Sequence, residues 1–217
     1  MTPSLFDETA TPYNAPEVIA PGAVLLRGFA CEAFEVLILA VRQVMAAAPL
    51  RYFVTPGGRA MAVAMTNCGA LGWVSDRTGY RYDSADPLSS QLWPPMPGCF
   101  ADLATRAADA AGFAGFKPDA CLINRYRPGA RLSLHQDKDE NDLSAPIVSV
   151  SLGLPAVFLF GGLQRSDRPA RLWLAHGNVV VWGGPARLAY HGVAPLADGE
   201  HLRLRRQRIN LTFRQAG

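Results

Sequence analysis

The stretch Leu132-Ser133-Leu134-His135-Gln136-Asp137 ends an alternating apolar pattern with an imidazole and a carboxylate two positions apart. Residues i and i+2 of an extended strand project from one face, so His135 and Asp137 would reach the same point. Two histidines and one carboxylate on one face of an octahedron leave three positions open on iron(II) for oxygen and a cosubstrate. The third ligand is best supplied by His191, in the short apolar segment Leu188-Ala189-Tyr190-His191-Gly192-Val193. His176, in a Gly-Asn turn, and His201, in a charged segment, are rivals that fit surface positions better. A His-x-Asp pair alone is a weak signal, and the rest of the chain must supply its context.

A second signal lies at the end of the chain. In Arg208-Ile209-Asn210-Leu211-Thr212-Phe213-Arg214, alternation sends Ile209, Leu211 and Phe213 to one face and Arg208, Asn210, Thr212 and Arg214 to the other. Arginines inside a barrel are a desolvation problem unless anions meet them, and a small dicarboxylate matches the guanidinium fork. Arg208 and Arg214 would stand about 20 Å apart along the strand, longer than a five-carbon diacid. Either both lean inward, or Arg214 serves the metal end near Asp137. Asn124 and Tyr126 share a face of a strand expected over 120–127, and Pro128-Gly129 would turn it into the metal strand. Arg203, Arg205 and Arg206 read as a solvent-facing edge.

The elements that must position these groups follow from composition and periodicity. The 217 residues suffice for one substantial core, and nothing asks for two domains. Twenty glycines and 17 prolines point to many turns between short strands. Residues 1–21 read as an extended arm. Helical spacing of apolar residues is expected over 31–48 and 100–111, with Gly112 as the stop of the second helix. From 120 to 217, strands are expected over 120–127, 132–137, 147–154, 156–160, 171–174, 179–182, 188–193 and 201–213, a pattern that suggests a two-sheet jelly roll with a ligand-binding mouth. Between the helices, residues 51–97 mix short strands with Trp73, Tyr80, Tyr82 and Trp93, interleaved with Arg51, Arg59, Arg77 and Arg81. Such aromatics either stack bases or form the core of a small outer sheet.

The formal charge of +3 fits a nucleic-acid partner without requiring one. Four scattered cysteines argue against disulfides and structural zinc and for a reducing compartment. The most apolar run, over 148–163, is broken by serine, glycine and proline, so a cytoplasmic, monomeric protein without a membrane span is expected.

Four segments in order carry a specific resemblance: Asn124-Arg125-Tyr126, His135-Gln136-Asp137-Lys138-Asp139, the distal His191, and the terminal Arg-x-Asn-x-Thr-x-Arg. Together with Met65-Thr66-Asn67-Cys68-Gly69 and Val180-Val181-Trp182-Gly183-Gly184, they resemble the AlkB family of iron(II) and 2-oxoglutarate-dependent dioxygenases over nearly the whole chain. Ile209 departs from the tyrosine found at this place in related sequences, on the face away from the metal. The resemblance implies a mainly β fold, a double-stranded β-helix (jelly roll) with supporting N-terminal helices and residues 51–97 as a nucleotide-recognition lid. It implies Fe(II) held by His135, Asp137 and His191, with 2-oxoglutarate and O2 as cosubstrates. Asn124, Tyr126, Arg208, Asn210 and Arg214 would hold 2-oxoglutarate, Arg208 at its distal carboxylate. Trp73 would stack on a flipped base, Tyr80 would touch the nucleic-acid backbone, Asp139 would face the exocyclic amine, and Arg165 would be a further substrate contact. Trp93 and Tyr82 are left as packing residues. The implied activity is oxidative demethylation of bases such as 1-methyladenine and 3-methylcytosine in DNA, preferably single-stranded, with double-stranded DNA or RNA as further partners. An oxygenase acting on RNA, protein or a small molecule is the alternative.

Overall fold

The computed structural model describes residues 15–217. Residues 1–14 of the expected arm lie outside the described residues. The remainder of that arm contains a strand, β1 (Glu17–Ala20), which pairs antiparallel with β2 (Ala23–Leu26). There follow α1 (Phe34–Ala47), β3 (Arg51–Val54), β4 (Ala60–Gly69), β5 (Gly72–Asp76), β6 (Gly79–Asp83) and α2 (Gly98–Ala110). The second half contributes β7 (Ala120–Tyr126), β8 (Leu132–His135), β9 (Ile147–Gly153), β10 (Ala156–Phe160), β11 (Ala170–Leu174), β12 (Val179–Trp182), β13 (His191–Val193) and β14 (Arg208–Arg214).

Among the described residues these strands form three sheets. The largest runs β1-β2-β12-β9-β14-β7-β4-β3, a second runs β11-β10-β13-β8, and β5 with β6 makes a separate hairpin. The strands named in each sheet pair antiparallel, as the jelly-roll reading requires. Residues 51–97 do not fold as one outer sheet. β3 and β4 pair into the large sheet through β7, and only the β5–β6 hairpin and the loop after it stand apart.

Strand β14 explains how one sheet serves two layers. It lies between β9 and β7, and all seven of its residues are buried. Ile209, Leu211 and Phe213 face the helices, where Phe100 of α2 meets Phe213 edge-on at 5.9 Å and Leu37, Val41 and Leu103 complete a fully covered core. Each such side chain contributes about 1.5–3 kcal/mol by leaving water. The opposite face of β14, bearing Arg208, Asn210, Thr212 and Arg214, looks toward the smaller sheet. There Tyr126, Phe158, Phe160 and Trp182 belong to the second core cluster. The helix stop at Gly112 has φ +87, the left-handed value that glycine adopts without strain, and its N–H donates to Asp109 O at 3.0 Å.

Three strands are shorter than their sequence patterns suggest. The one expected over 188–193 begins only at His191, because a 3-10 turn, Gly184–Ala186, and the bond from Ala189 N to Ala186 O keep the preceding backbone coiled. The one expected over 201–213 begins at Arg208. Before it, His201 and Arg205 exchange backbone hydrogen bonds, and His201 Nδ1 accepts from Arg203 N and Leu204 N, which closes a tight turn. The metal strand stops at His135, so Asp137 leaves the sheet before it reaches the site. No helix among the described residues is long and apolar enough to cross a membrane.

Candidate metal centre and cosubstrate pocket

Histidines from adjacent strands of the smaller sheet begin the site, His191 of β13 standing directly opposite His135 of β8. Asp137 joins them two residues past the strand end. Its Oδ1 is 3.6 Å from His135 Nε2 and its Oδ2 is 3.7 Å from His191 Nε2, and the ligand atoms of all three residues lie within 4.8 Å of one another. His176 and His201 are elsewhere. They are not surface residues as their sequence context suggests but pack on each other with ring centroids 4.6 Å apart and edge-on to Phe34.

Each metal-facing imidazole is oriented from behind. His135 Nδ1 lies 2.9 Å from Ser133 O, and His191 Nδ1 lies 3.0 Å from Ala189 O. A carbonyl accepts only from a protonated nitrogen, so Nδ1–H donates and Nε2 keeps its lone pair for a metal. Burial, with His135 beside it, lowers the pKa of His191 to about 4 against the opposing pull of Asp137, which leaves it neutral near pH 7. Burial would raise the Asp137 carboxyl, but Arg214 first, then His191 and His135, outweigh it and hold the group well below the usual carboxylate range. His191 and Asp137 are therefore ready to ligate without losing protons, and the two imidazoles with one carboxylate fit iron(II).

The neighbouring pocket fits an anion. Arg208 is 1% exposed, donates through Nη2 to Ser151 Oγ at 2.9 Å and rests 4.9 Å over the Tyr126 ring, while its Nε and Nη1 have no partner. Burial pushes its pKa down. A buried guanidinium with two unpartnered nitrogens calls for a carboxylate. Asn124 Oδ1 is likewise buried and unpartnered. Cross-strand register puts Tyr126 beside Arg208 and Asn124 beside Asn210. Asn210, expected to help hold 2-oxoglutarate, accepts at Oδ1 from Thr212 and donates through Nδ2 to Ser149 Oγ and Val150 O, bonds that tie β14 to β9. Arg214 occupies the metal end, Nε and Nη2 both donating to Asp137 Oδ2 at 3.0 and 2.5 Å. Of the two geometries open to the arginine pair, this is the second.

The hairpin supplies the groups expected to meet a base. Trp73 stacks on Tyr80 with centroids 5.7 Å apart, and its Nε1 donates to Asp139 Oδ2 at 2.8 Å, two residues beyond the metal ligand. Tyr80 is 48% exposed and available to a ligand. Arg165 is exposed at the rim, where it donates to Leu134 O at 2.7 Å. Of the two residues expected to pack, Trp93 bonds its indole to Asp83 O and Tyr82 donates its hydroxyl to Glu140 Oε1 at 2.8 Å. Arg51 is taken up by an ion pair with Asp86 and Arg81 by Asp76, so Arg59 and Arg77 are the exposed cations of this region.

A family model described as the 2OG-Fe(II) oxygenase superfamily matches residues 22–214. The chain belongs to that family. This oxygenase is 60% identical over 208 residues to the alpha-ketoglutarate-dependent dioxygenase AlkB of Escherichia coli K12, covering 96% of this chain and 95% of that one. It is 38% identical over 135 residues to the nucleic acid dioxygenase ALKBH1 of Mus musculus, covering 61% of this chain and 34% of that one. The solved structure of OsALKBH1 superposes with a TM-score of 0.80 at 28% identity, over 92% of this chain and 99% of that one. The chain is thus an iron(II)- and 2-oxoglutarate-dependent dioxygenase.

Three residues of this oxygenase's site escape a reading of sequence. Glu140, Arg187 and Ser151 all act through partners far along the chain. Asn67, fully buried, brackets the start of the β5–β6 hairpin by donating to Trp73 O at 2.9 Å and accepting from Trp73 N at 3.1 Å. Only Glu140 carried a signal, as the third carboxylate among the four residues from Asp137 to Glu140.

Proposed function

We propose that this dioxygenase removes alkyl groups oxidatively from nucleobases, with 1-methyladenine and 3-methylcytosine in single-stranded DNA as its preferred substrates. The observation that carries the reading is the placement of Trp73 and Asp139, bonded to each other, two residues from the metal ligand Asp137. A planar aromatic and a carboxylate beside a metal centre suit a flat, cationic methylated base. Asp139 favours the positive charge that alkylation puts on these bases and so selects damaged over normal ones. The high identity to AlkB and the nucleic-acid dioxygenase named among its relatives support the same class of substrate.

His135, Asp137 and His191 would hold iron(II). Arg208 would take the distal carboxylate of 2-oxoglutarate, with Asn124 and Tyr126 lining the pocket and Asn210 fixing its wall. Arg214 would hold Asp137 in place at the other end. Bound there, iron and 2-oxoglutarate would supply an oxidant from O2 as the cosubstrate decarboxylates to succinate. The methyl group becomes hydroxymethyl, which leaves as formaldehyde and restores the base. Trp73 and Tyr80 hold the extruded base and its backbone, and Arg165 closes the rim. Extrusion costs least from a single strand. The β5–β6 hairpin acts as the recognition lid, and the protein works as a cytoplasmic monomer.

Formaldehyde release from a methylated single-stranded oligonucleotide, with iron(II), ascorbate and 2-oxoglutarate present, tests the reading; absence of both formaldehyde and restored base sinks it. Trp73→Ala separates nucleic acid from other substrates. It cripples repair while sparing succinate formation uncoupled from substrate, whereas equal loss of both would assign Trp73 to the fold.

A further inference from the structure

The hairpin touches the metal loop at two consecutive residues. Trp73 and Tyr82 are direct cross-strand partners on β5 and β6. Trp73 Nε1 donates to Asp139, and the Tyr82 hydroxyl donates to Glu140. Glu140 continues inward, its side chain 1% exposed between two guanidinium groups, Arg214 Nε at 3.2 Å from Oε1 and Arg187 Nη2 at 3.0 Å from Oε2. Both arginines then close on the metal ligand. Arg214 grips the Asp137 carboxylate, and Arg187 Nη1 donates to the Asp137 backbone carbonyl at 2.8 Å while its Nε anchors to Ala145 O. A metal-binding aspartate is thus held by side chain and backbone through two cations that share one carboxylate, and the hairpin reaches that carboxylate through a single phenol.

We propose that Tyr82, Glu140 and Arg214 form a positioning relay that couples substrate occupancy at the hairpin to the setting of Asp137, and through it to the affinity for 2-oxoglutarate. The inference rests on the substrate reading given above. A buried carboxylate between two arginines is a poor way to gain stability, because desolvation offsets most of the Coulomb attraction. It is a good way to fix geometry, since Arg214 and Arg187 each contact both Glu140 and Asp137 and so hold the two residues in one relative placement. An ion cluster serving the fold alone needs Glu140 and its arginines but not the hydroxyl from the hairpin. Burial holds the Tyr82 phenol well above its ordinary pKa, so it remains a donor across the working range. A base entering beside Trp73 competes for the space and the bonds that pin the hairpin, and any shift at β6 changes the load on Glu140. By linkage, the cosubstrate must then change the affinity for the base by the same factor.

The test uses the full-length protein loaded with Mn(II), which binds without turnover. Calorimetry measures 2-oxoglutarate affinity with and without a single-stranded oligonucleotide carrying 1-methyladenine, and fluorescence anisotropy measures oligonucleotide affinity with and without 2-oxoglutarate. The unaltered protein is expected to show the same ratio in both directions, on the order of 5- to 150-fold. Tyr82→Phe keeps the ring and loses one hydroxyl; its ratio should fall to near unity with Mn(II) stoichiometry and melting temperature retained. Glu140→Gln is expected to move the ratio the same way. A Tyr82→Phe protein that keeps the full ratio overturns the relay, as does a ratio of one in an unaltered protein that repairs the oligonucleotide. An unaltered protein that neither binds nor repairs it overturns the substrate reading, and the relay with it.

Discussion

Arg208→Met should move two observables in opposite directions. Arg208 is 1% exposed, its Nε and Nη1 lack partners, and burial disfavours its charge. Replacing such an ion with an apolar side chain of similar reach is stabilising by about 1–4 kcal/mol. Against this stands the single bond to Ser151 Oγ, a loss of about 1 kcal/mol. The net gain of roughly 0–3 kcal/mol corresponds to about 0–12 °C in melting temperature for a chain of this size. With 2-oxoglutarate present the sign reverses. Removing one partner of a buried guanidinium–carboxylate pair costs about 3–5 kcal/mol. That is about 150- to 5,000-fold in dissociation constant. Calorimetry of 2-oxoglutarate with the Mn(II) protein and thermal melts of the free protein provide both numbers. A variant that binds 2-oxoglutarate within threefold of the parent, or that melts well below it when empty, would refute the assignment of Arg208 to the cosubstrate.

Further outcomes are equally definite. His191→Ala should lose stoichiometric iron(II) by metal analysis while His176→Ala retains it, since only the former lies within the three-residue cluster; equal retention would move the metal elsewhere. Burial and His201 bring the pKa of His176 down to about 4 from the ordinary 6.5. Between those values the unfolded chain takes up a proton that the folded one refuses, so stability present above pH 6.5 is lost as pH falls toward 4. Urea midpoints of the metal-free protein should therefore drop from about pH 7 to about pH 5, and less steeply in His176→Gln; an identical slope in the variant removes His176 as a cause. Gly72→Ala would place a Cβ 2.4 Å from Trp93 Nε1 and 2.7 Å from Asn67 Cβ, at the root of the β5–β6 hairpin. Overpacking there should cost about 1–3 kcal/mol in denaturant melts and weaken oligonucleotide binding more than 2-oxoglutarate binding; unchanged melts would mean the hairpin root yields freely.

Local pattern was enough wherever the chemistry repeats along the chain. The alternation in 208–214 put Arg208 and Arg214 on one face and Ile209 and Phe213 on the opposite, apolar one, because a strand's period of two is fixed by its own backbone. The donor types of His135, Asp137 and His191 announced a metal centre before any fold was in hand. What the pattern left open was every contact made by chain segments that meet only after folding. Whether Arg214 would reach the ligand or the metal end depended on Asp137 leaving the sheet after His135. The histidines at 176 and 201 read as surface residues because nothing nearby in sequence shows that Phe34 will cover them. Strands β3 and β4 could not be told from an outer sheet, since β7, which joins β4 to the large sheet, lies more than 50 residues away. The bonds from Tyr82 to Glu140 span 58 residues and those from Arg214 to Asp137 span 77. Pairings at such separations carry no local period, so tertiary packing alone decided them.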